Sequence, residues 1–218
     1  MFVEIVDALR CLRPHESTWL VLAAGRMDGR HVMDGTLGCH LCGTRYPIVD
    51  GVADFRDADA DRAAPPVLQS PAPATAAVDP DDVLRAAALL NHAEGAGFTV
   101  LAGPWVHVAP MLARLAPVPV VVVDPPPGLA MGHGVSGVRV AERLPFADGA
   151  ARGVALGAHA PAAMLLDAVR VLRTGGRLVA PAGMPVPPGI TELARDAESW
   201  VGERQAAPSR PVTLTRAR

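Results

Sequence analysis

The stretch Phe98-Thr-Val-Leu-Ala-Gly-Pro-Trp-Val-His-Val108 constrains the fold more than any other part of the chain. Residues 98–102 form a short apolar run rich in strand formers, as in a strand buried on both faces. Gly103 turns the chain, and a helix is predicted over 106–115, with Pro110 tolerable only near its first turn. The same alternation surrounds this unit. Asp79-Pro80-Asp81-Asp82 reads as a helix start: a capping side chain, a proline in the first turn, then acids at the positive end of the helix dipole. Val83, Ala86, Ala87 and Leu90 make the buried stripe of that helix, and Gly95 and Gly97 end it.

Strands are predicted over 120–124, more weakly over 135–140, and over 152–157 and 177–180. A helix is predicted over 161–173, with Arg170 and Arg173 in its last turn and Gly175 just beyond. Residues 190–203 read as a helix and 211–215 as at most one late strand. Strands alternating with helices imply a mainly parallel α/β sheet covered on both faces. Such sheets take ligands at the carboxyl ends of their strands, near the switch point, and Asp124 ends the second strand there.

The N-terminal part has a different character. Val3, Val6 and Leu9 have helical spacing, Thr18-Trp-Leu-Val-Leu-Ala23 is β-rich, and Cys39-His-Leu-Cys42-Gly43 is a metal knuckle. The tight turn aims both sulfurs at one point, so Zn2+ needs two further ligands. Cys11 supplies one. His15 can supply the other, giving a Cys11, His15, Cys39, Cys42 set; His40 is the poorer candidate because its side chain should point away from the knuckle. The competing readings are a ribbon that has lost its metal and rests on Trp19, Leu20, Tyr46 and Ile48, and a redox C-x-x-C, for which the surrounding βαβ pattern is missing. Three clustered cysteines suit a metal site in a reducing, cytoplasmic setting better than a disulfide framework.

The chain thus divides into a small α+β unit over 1–56, an Ala/Pro/Asp-rich linker over 57–78 and an α/β domain over 79–218. With 218 residues, half of them hydrophobic, it can build a sizeable core. A net charge of −2 and an aromatic content of 4% argue against broad electrostatic adhesion to nucleic acid and against base-stacking platforms. Arg204, Arg210, Arg216 and Arg218 make a mildly basic tail, a thin hint of nucleic-acid contact. No apolar run is long enough to span a bilayer, so membrane insertion is not expected.

Two resemblances follow. Leu9-Arg-Cys11, Cys39-x-x-Cys42 and Tyr46-Pro-Ile-Val-Asp-Gly-Val-Ala-Asp-Phe55 resemble the small zinc-ribbon family that includes the activator subunit of tRNA and protein methyltransferases. The chain departs from that family at Pro14, where a cysteine is expected. Val120-Val-Val-Val-Asp124, Ala141-Glu-Arg-Leu-Pro-Phe-Ala-Asp-Gly149 and Asp167-Ala-Val-Arg-Val-Leu-Arg-Thr-Gly-Gly-Arg-Leu-Val179 resemble the Rossmann-like S-adenosylmethionine-dependent methyltransferases, over about residues 84–181. The second resemblance implies a methyltransferase sheet, shortened at the C-terminus because little chain remains for the closing hairpin.

It also implies a cofactor site, and the residues match that site unevenly. Gly103 matches the turn after the first strand, and Asp124 matches the acid that holds the ribose hydroxyls. The other turn glycines are replaced in Gly103-Pro-Trp-Val-His107, the acid ending the first strand is Ala102, and the acid that receives the adenine amine is Val140. The Trp105 indole either fills the cofactor's space or turns outward. Asp124-Pro-Pro-Pro127 follows the second strand, not the fourth, so it is not the loop that holds a target nitrogen. At the fourth strand stands Gly157-Ala-His-Ala-Pro161, where His159 is the one candidate general base. His107 and His133 lie near the expected cleft mouth, and His92 reads as a helix-end residue. The expectation is a ribbon joined to a methyltransferase-like domain that no longer catalyses and works by binding a protein partner or a second copy. The alternative is an active methyltransferase with a divergent cofactor turn.

Overall fold

β1 (Val21–Asp28), β2 (His31–Gly38), β3 (Arg45–Val49) and β4 (Val52–Asp54) form an antiparallel meander that follows a single-turn helix, α1 (Val3–Val6). The computed structural model describes residues 1–56, 78–93 and 95–206. The second part opens with α2 (Pro80–Leu89), capped by the Asp79 carboxylate, which accepts the Asp81 N–H at 2.9 Å. β5 (Phe98–Leu101) leads through a 3-10 turn over Gly103–Val108 into α3 (Ala109–Leu115), with Pro110 in its first turn. Then come β6 (Val120–Val123), β7 (Val135–Arg139), β8 (Ala151–Ala155), α4 (Ala162–Val171), β9 (Leu172–Pro181), β10 (Ile190–Arg195) and β11 (Ser199–Arg204).

The eleven strands of the described residues join one sheet in the order β1-β2-β3-β4-β7-β6-β5-β8-β9-β11-β10. β7-β6-β5-β8-β9 are parallel, and β11 enters antiparallel between β9 and β10. This is a Rossmann-like methyltransferase sheet, with its order reversal between β5 and β8.

Two expectations about the C-terminal part are corrected. Residues 190–203 form the β10–β11 hairpin and not a helix, and the sheet keeps its antiparallel close. In 190–203 only Ile190 and residues 199–202 are buried, an unbroken run that a strand between two neighbours can hide and a one-faced helix cannot. Trp200 is the anchor there, 1% exposed, its indole N–H donating to the Met184 carbonyl at 2.9 Å. The predicted linker, the strand over 211–215 and the Arg210, Arg216 and Arg218 part of the tail lie outside the described residues, apart from Val78 at the linker's end.

The central strands bury both faces, with the period of two that their apolar runs require. Val100, Ala102, Val121, Val123, Val154 and Leu156 share one core with Phe146 and with Met164 and Ala168 of α4. Leu101, Val120, Val122 and Ala155 share the other with Val83, Ala86 and Leu90 of α2 and Leu112 of α3. Each of the Val, Leu, Phe and Met side chains contributes about 1.5–3 kcal/mol by leaving water, and each alanine less.

The first core also contains Ile5, Leu9, Leu37, Ile48 and Phe55, so the N-terminal meander and the α/β part share one hydrophobic interior. The seam is a parallel pairing of β4 with β7, Val52 opposite Gly137, Ala53 opposite Val138 and Asp54 opposite Arg139. Around it, the Phe2 N–H donates to Ser136 Oγ at 2.8 Å, the Arg10 N–H to the Pro145 carbonyl at 2.8 Å and the Phe55 N–H to the Arg139 carbonyl at 2.8 Å.

Candidate functional site

The Cys/His cluster is assembled from two loops. The knuckle turn is closed by the Gly43 N–H donating to the Cys39 carbonyl and the Cys39 N–H donating to the Thr44 carbonyl, both at 2.9 Å. The loop after Leu9 brings Cys11 and His15 over it. The four donor atoms of Cys11, His15, Cys39 and Cys42 lie within 4.8 Å of one another. Cys11 Sγ is 3.7 Å from Cys42 Sγ and 3.2 Å from His15 Nε2, which is 3.4 Å from Cys39 Sγ. Bonds of about 2.3 Å to sulfur and 2.0 Å to nitrogen imply tetrahedral edges of about 3.8 and 3.5 Å. The donor set therefore fits a single zinc ion.

The surroundings orient the ligands. His15 Nδ1 faces the Glu16 carbonyl at 2.7 Å, so it carries the proton and Nε2 is left to face the sulfurs. The Tyr46 hydroxyl lies 3.2 Å from Cys11 Sγ and accepts the Leu12 N–H at 3.3 Å. Hydrogen bonding with the side chain and backbone of Thr44 holds the exposed Cys42 thiol down to about 6, while burial pushes the Cys11 thiol up. His40 points away, stacked on Trp19 with centroids 5.7 Å apart. One expectation is corrected: Leu20, Tyr46 and Ile48 are buried supports, but Trp19 is 64% exposed and touches the knuckle at His40 from outside the core.

The cofactor corner is crowded. Gly103 has φ +67°, a conformation L side chains resist, and an added Cβ there would stand 2.9 Å from Gly157 Cα. A Cβ on Gly157 would stand 2.5 Å from Cδ of Pro104. The turns after β5 and β8 therefore meet backbone to backbone, with the proline ring on the contact. Trp105 does not occupy the space between Gly103 and Asp124. Its indole N–H donates to the Leu156 carbonyl at 3.3 Å, on the β8 side, where the exposed Pro104 ring also meets Gly157.

Asp124 is 1% exposed. Its Oδ1 accepts the Val140 N–H at 3.2 Å and its Oδ2 has no partner among the described residues. Burial pushes this carboxyl up to about 6, against the Val140 N–H and the charges of Arg56 and Arg139. Arg56 is held by Asp54 at 2.8 Å, their side chains 10% and 15% exposed, so the residues leaving β4 stand close to this strand end. Val140 and Ala102 are apolar and buried, at 1% and 0%. Set against S-adenosylmethionine, the corner offers one carboxylate oxygen to a ribose hydroxyl. Among the described residues, the buried apolar Val140 and Ala102 stand at the two positions where acids are expected. The residues present do not fit that cofactor.

His159 sits exposed on the turn after β8. His133 is exposed in the turn before β7, and His107 is half-buried with Nε2 3.6 Å from Asp82. His92 is no helix-end cation. It is buried between Thr99 Oγ1 at 3.0 Å and the Leu112 carbonyl at 3.1 Å, and burial lowers its pKa, which favours the neutral ring. Sequence reasoning missed the Asp167–Arg170 clamp. Asp167 Oδ2 accepts the Leu144 N–H at 2.6 Å, and Arg170 donates to Asp167, Asp148 and the carbonyls of Phe146 and Leu144 at 2.6–2.9 Å. Two strings that carry the methyltransferase resemblance are thus locked to each other structurally. The signal was an acid and an arginine one helical turn apart.

No family model matches the chain, and no curated protein matches it. Solved structures similar to it include a complex of the Haloferax volcanii Trm112 methyltransferase activator with a putative methyltransferase, 18% identical at a TM-score of 0.37, covering 45% of this chain and 50% of that one. The antibiotic-resistance methyltransferase Kmr is 16% identical at a TM-score of 0.40, covering 64% and 99%. A putative methyltransferase from Bacillus halodurans is 25% identical at a TM-score of 0.37, covering 46% and 48%. The chain spans about half the length of most of these relatives.

Proposed function

We propose that this is a non-catalytic, methyltransferase-like binding protein, in which a zinc-clamped ribbon extends the sheet of a domain that has lost its cofactor. The observation that carries the reading is the pair of buried, apolar side chains, Ala102 and Val140, standing where the cofactor's polar partners are expected. Loss of the hydrogen-bond partners at positions 102 and 140 costs such a ligand about 1–3 kcal/mol each. Cys11, His15, Cys39 and Cys42 hold the zinc, whose role is to cross-link two loops and not to activate a substrate.

The working surface is a sheet edge. β1 is an outermost strand, exposed over nearly its whole length, with Val21 at 55% and Met27 at 47%. Trp19 stands beside it. Such an edge pairs with a strand of a partner or of a second copy.

Calorimetry with S-adenosylmethionine and S-adenosylhomocysteine tests the reading. The expected result is no saturable heat up to about millimolar ligand, an affinity weaker than about −4 kcal/mol. Micromolar binding that disappears in Asp124→Ala would overturn it. The second reading, an active methyltransferase, draws on one observation: the unpartnered Oδ2 of Asp124 is the atom a ribose hydroxyl would satisfy.

A further inference from the structure

The Pro104–Gly157 contact closes one space and borders another. A cavity of about 260 Å3 opens beside the turn, its apolar wall made by Pro104, Trp105, Val108, Leu156 and Pro181. Asp124 does not line it. Its size is below the ~300–1,000 Å3 of drug-sized sites, which restricts an occupant to about one ring and a short arm.

The polar side is built by α2 and the start of β11. Asp82, Arg85, His107, Glu198 and Ser199 line it. The Arg85 guanidinium is already engaged, 2.8 Å from Asp196 and 3.1 Å from Glu198. Asp82 has His107 Nε2 at 3.6 Å. Asp82 and Glu198 on the lining, with Asp196 outside it on Arg85, set three carboxylates against one arginine and one imidazole, so the surplus is negative whichever form the imidazole takes. The indole edge is pinned to the Leu156 carbonyl, so the ring is a fixed wall element with no side-chain order left to acquire on binding. An aromatic wall beneath an acidic rim selects a positive charge on an apolar body, through ion pairing at the mouth and ring contact within.

We infer that this cavity is a binding site for a small organic amine: a protonated amine directed to Asp82 and Glu198, on an apolar or aromatic group packed against Trp105 and Pro181. The inference uses no residue of the Asp124 end, although Pro104 and Gly157 border both the cavity and the cofactor corner.

The test is calorimetry and ligand-observed NMR on the full chain with three probes of one shape: phenethylamine, phenethyl alcohol and phenylpropanoate. The expected result is saturable binding of the amine at about millimolar Kd or better. The alcohol should bind about two- to fivefold more weakly, the worth of a partly exposed charge contact. The carboxylate should show no binding. Asp82→Asn should weaken the amine about two- to fivefold and leave the alcohol unchanged, and added salt should act in the same direction. Trp105→Ala should abolish both. Trp105→Phe keeps a ring without the Leu156 hydrogen bond, and it should retain the amine preference if the alanine variant folds poorly. Equal binding of all three probes, no binding of any, or an amine affinity indifferent to Asp82→Asn overturns the proposal. S-adenosylhomocysteine titrated separately reports on the cofactor corner, so the two readings fail independently.

Discussion

The Val140 N–H donates to Oδ1 of Asp124 at 3.2 Å, and that is the one hydrogen bond the described residues give this buried carboxylate. Asparagine at 124 would keep this bond, tolerates the φ of +49° found there, and carries no charge to desolvate. The folded pKa of Asp124, about 6, lies above the ordinary carboxyl value of 3.8. An acid with a raised folded pKa contributes its full stability below the unfolded value and loses it as pH rises through the folded one. Asp124→Asn should therefore match the parent protein near pH 3.8 and exceed it by about 1–3 kcal/mol above pH 6. Urea unfolding of both proteins across that range measures the difference. A constant offset would dismiss burial as its source.

The metal centre predicts a stoichiometry of about one zinc per chain in protein purified without chelator. Cys39→Ser and His15→Ala should lower it toward zero, whereas His15→Cys should keep it. Free zinc about a hundredfold above Kd stabilises by about 2.7 kcal/mol, so chelation should lower Tm visibly. Elemental analysis and thermal denaturation with and without chelator read both effects. Full Tm after complete metal removal would contradict the structural role.

The Pro104–Gly157 contact makes a double-mutant prediction. Gly157→Ala drives a Cβ to 2.5 Å from Pro104 Cδ and should cost about 1–3 kcal/mol. Pro104→Ala in the same chain should recover part of that loss. Recovery stays incomplete because Gly103 Cα is also only 3.1 Å from the new carbon. Additive effects of the two substitutions, measured by denaturant unfolding, would show that the ring and the glycine do not touch.

Arg170→Met should be costly for a surface arginine. It leaves Asp167, 8% exposed, with one remaining donor, and it frees the carbonyls of Leu144 and Phe146. A loss of about 2–3 kcal/mol is expected, discounted from a fully buried pair because Arg170 is 28% exposed. Adding Asp167→Asn should recover part of it. Equal destabilisation by Arg170→Met and Arg143→Met would refute the clamp.

Where the sequence carried a period, it was legible. The continuous apolar runs at 98–101 and 120–123 are strands buried on both faces, and Asp79-Pro80 caps a helix. The Cys/His spacing pointed to four side chains that the fold gathers into one cluster. Residues 190–203 misled because β10 is an edge strand with only Ile190 buried and a bulge at Glu192–Ala194, so it displays no period of two. The direction of Trp105 could not be read at all. It is decided by the Leu156 carbonyl, 51 positions away, which strand order alone brings within reach.

The parallel register of Val52, Ala53 and Asp54 against Gly137, Val138 and Arg139 has a practical consequence for anyone dissecting this protein. Cutting the chain between Arg56 and Val78 would not release two working halves. Each fragment would carry a raw strand border and a share of one oily interior, and neither would hold its shape without the other. The pair should instead be mixed and refolded together, as split reporters are.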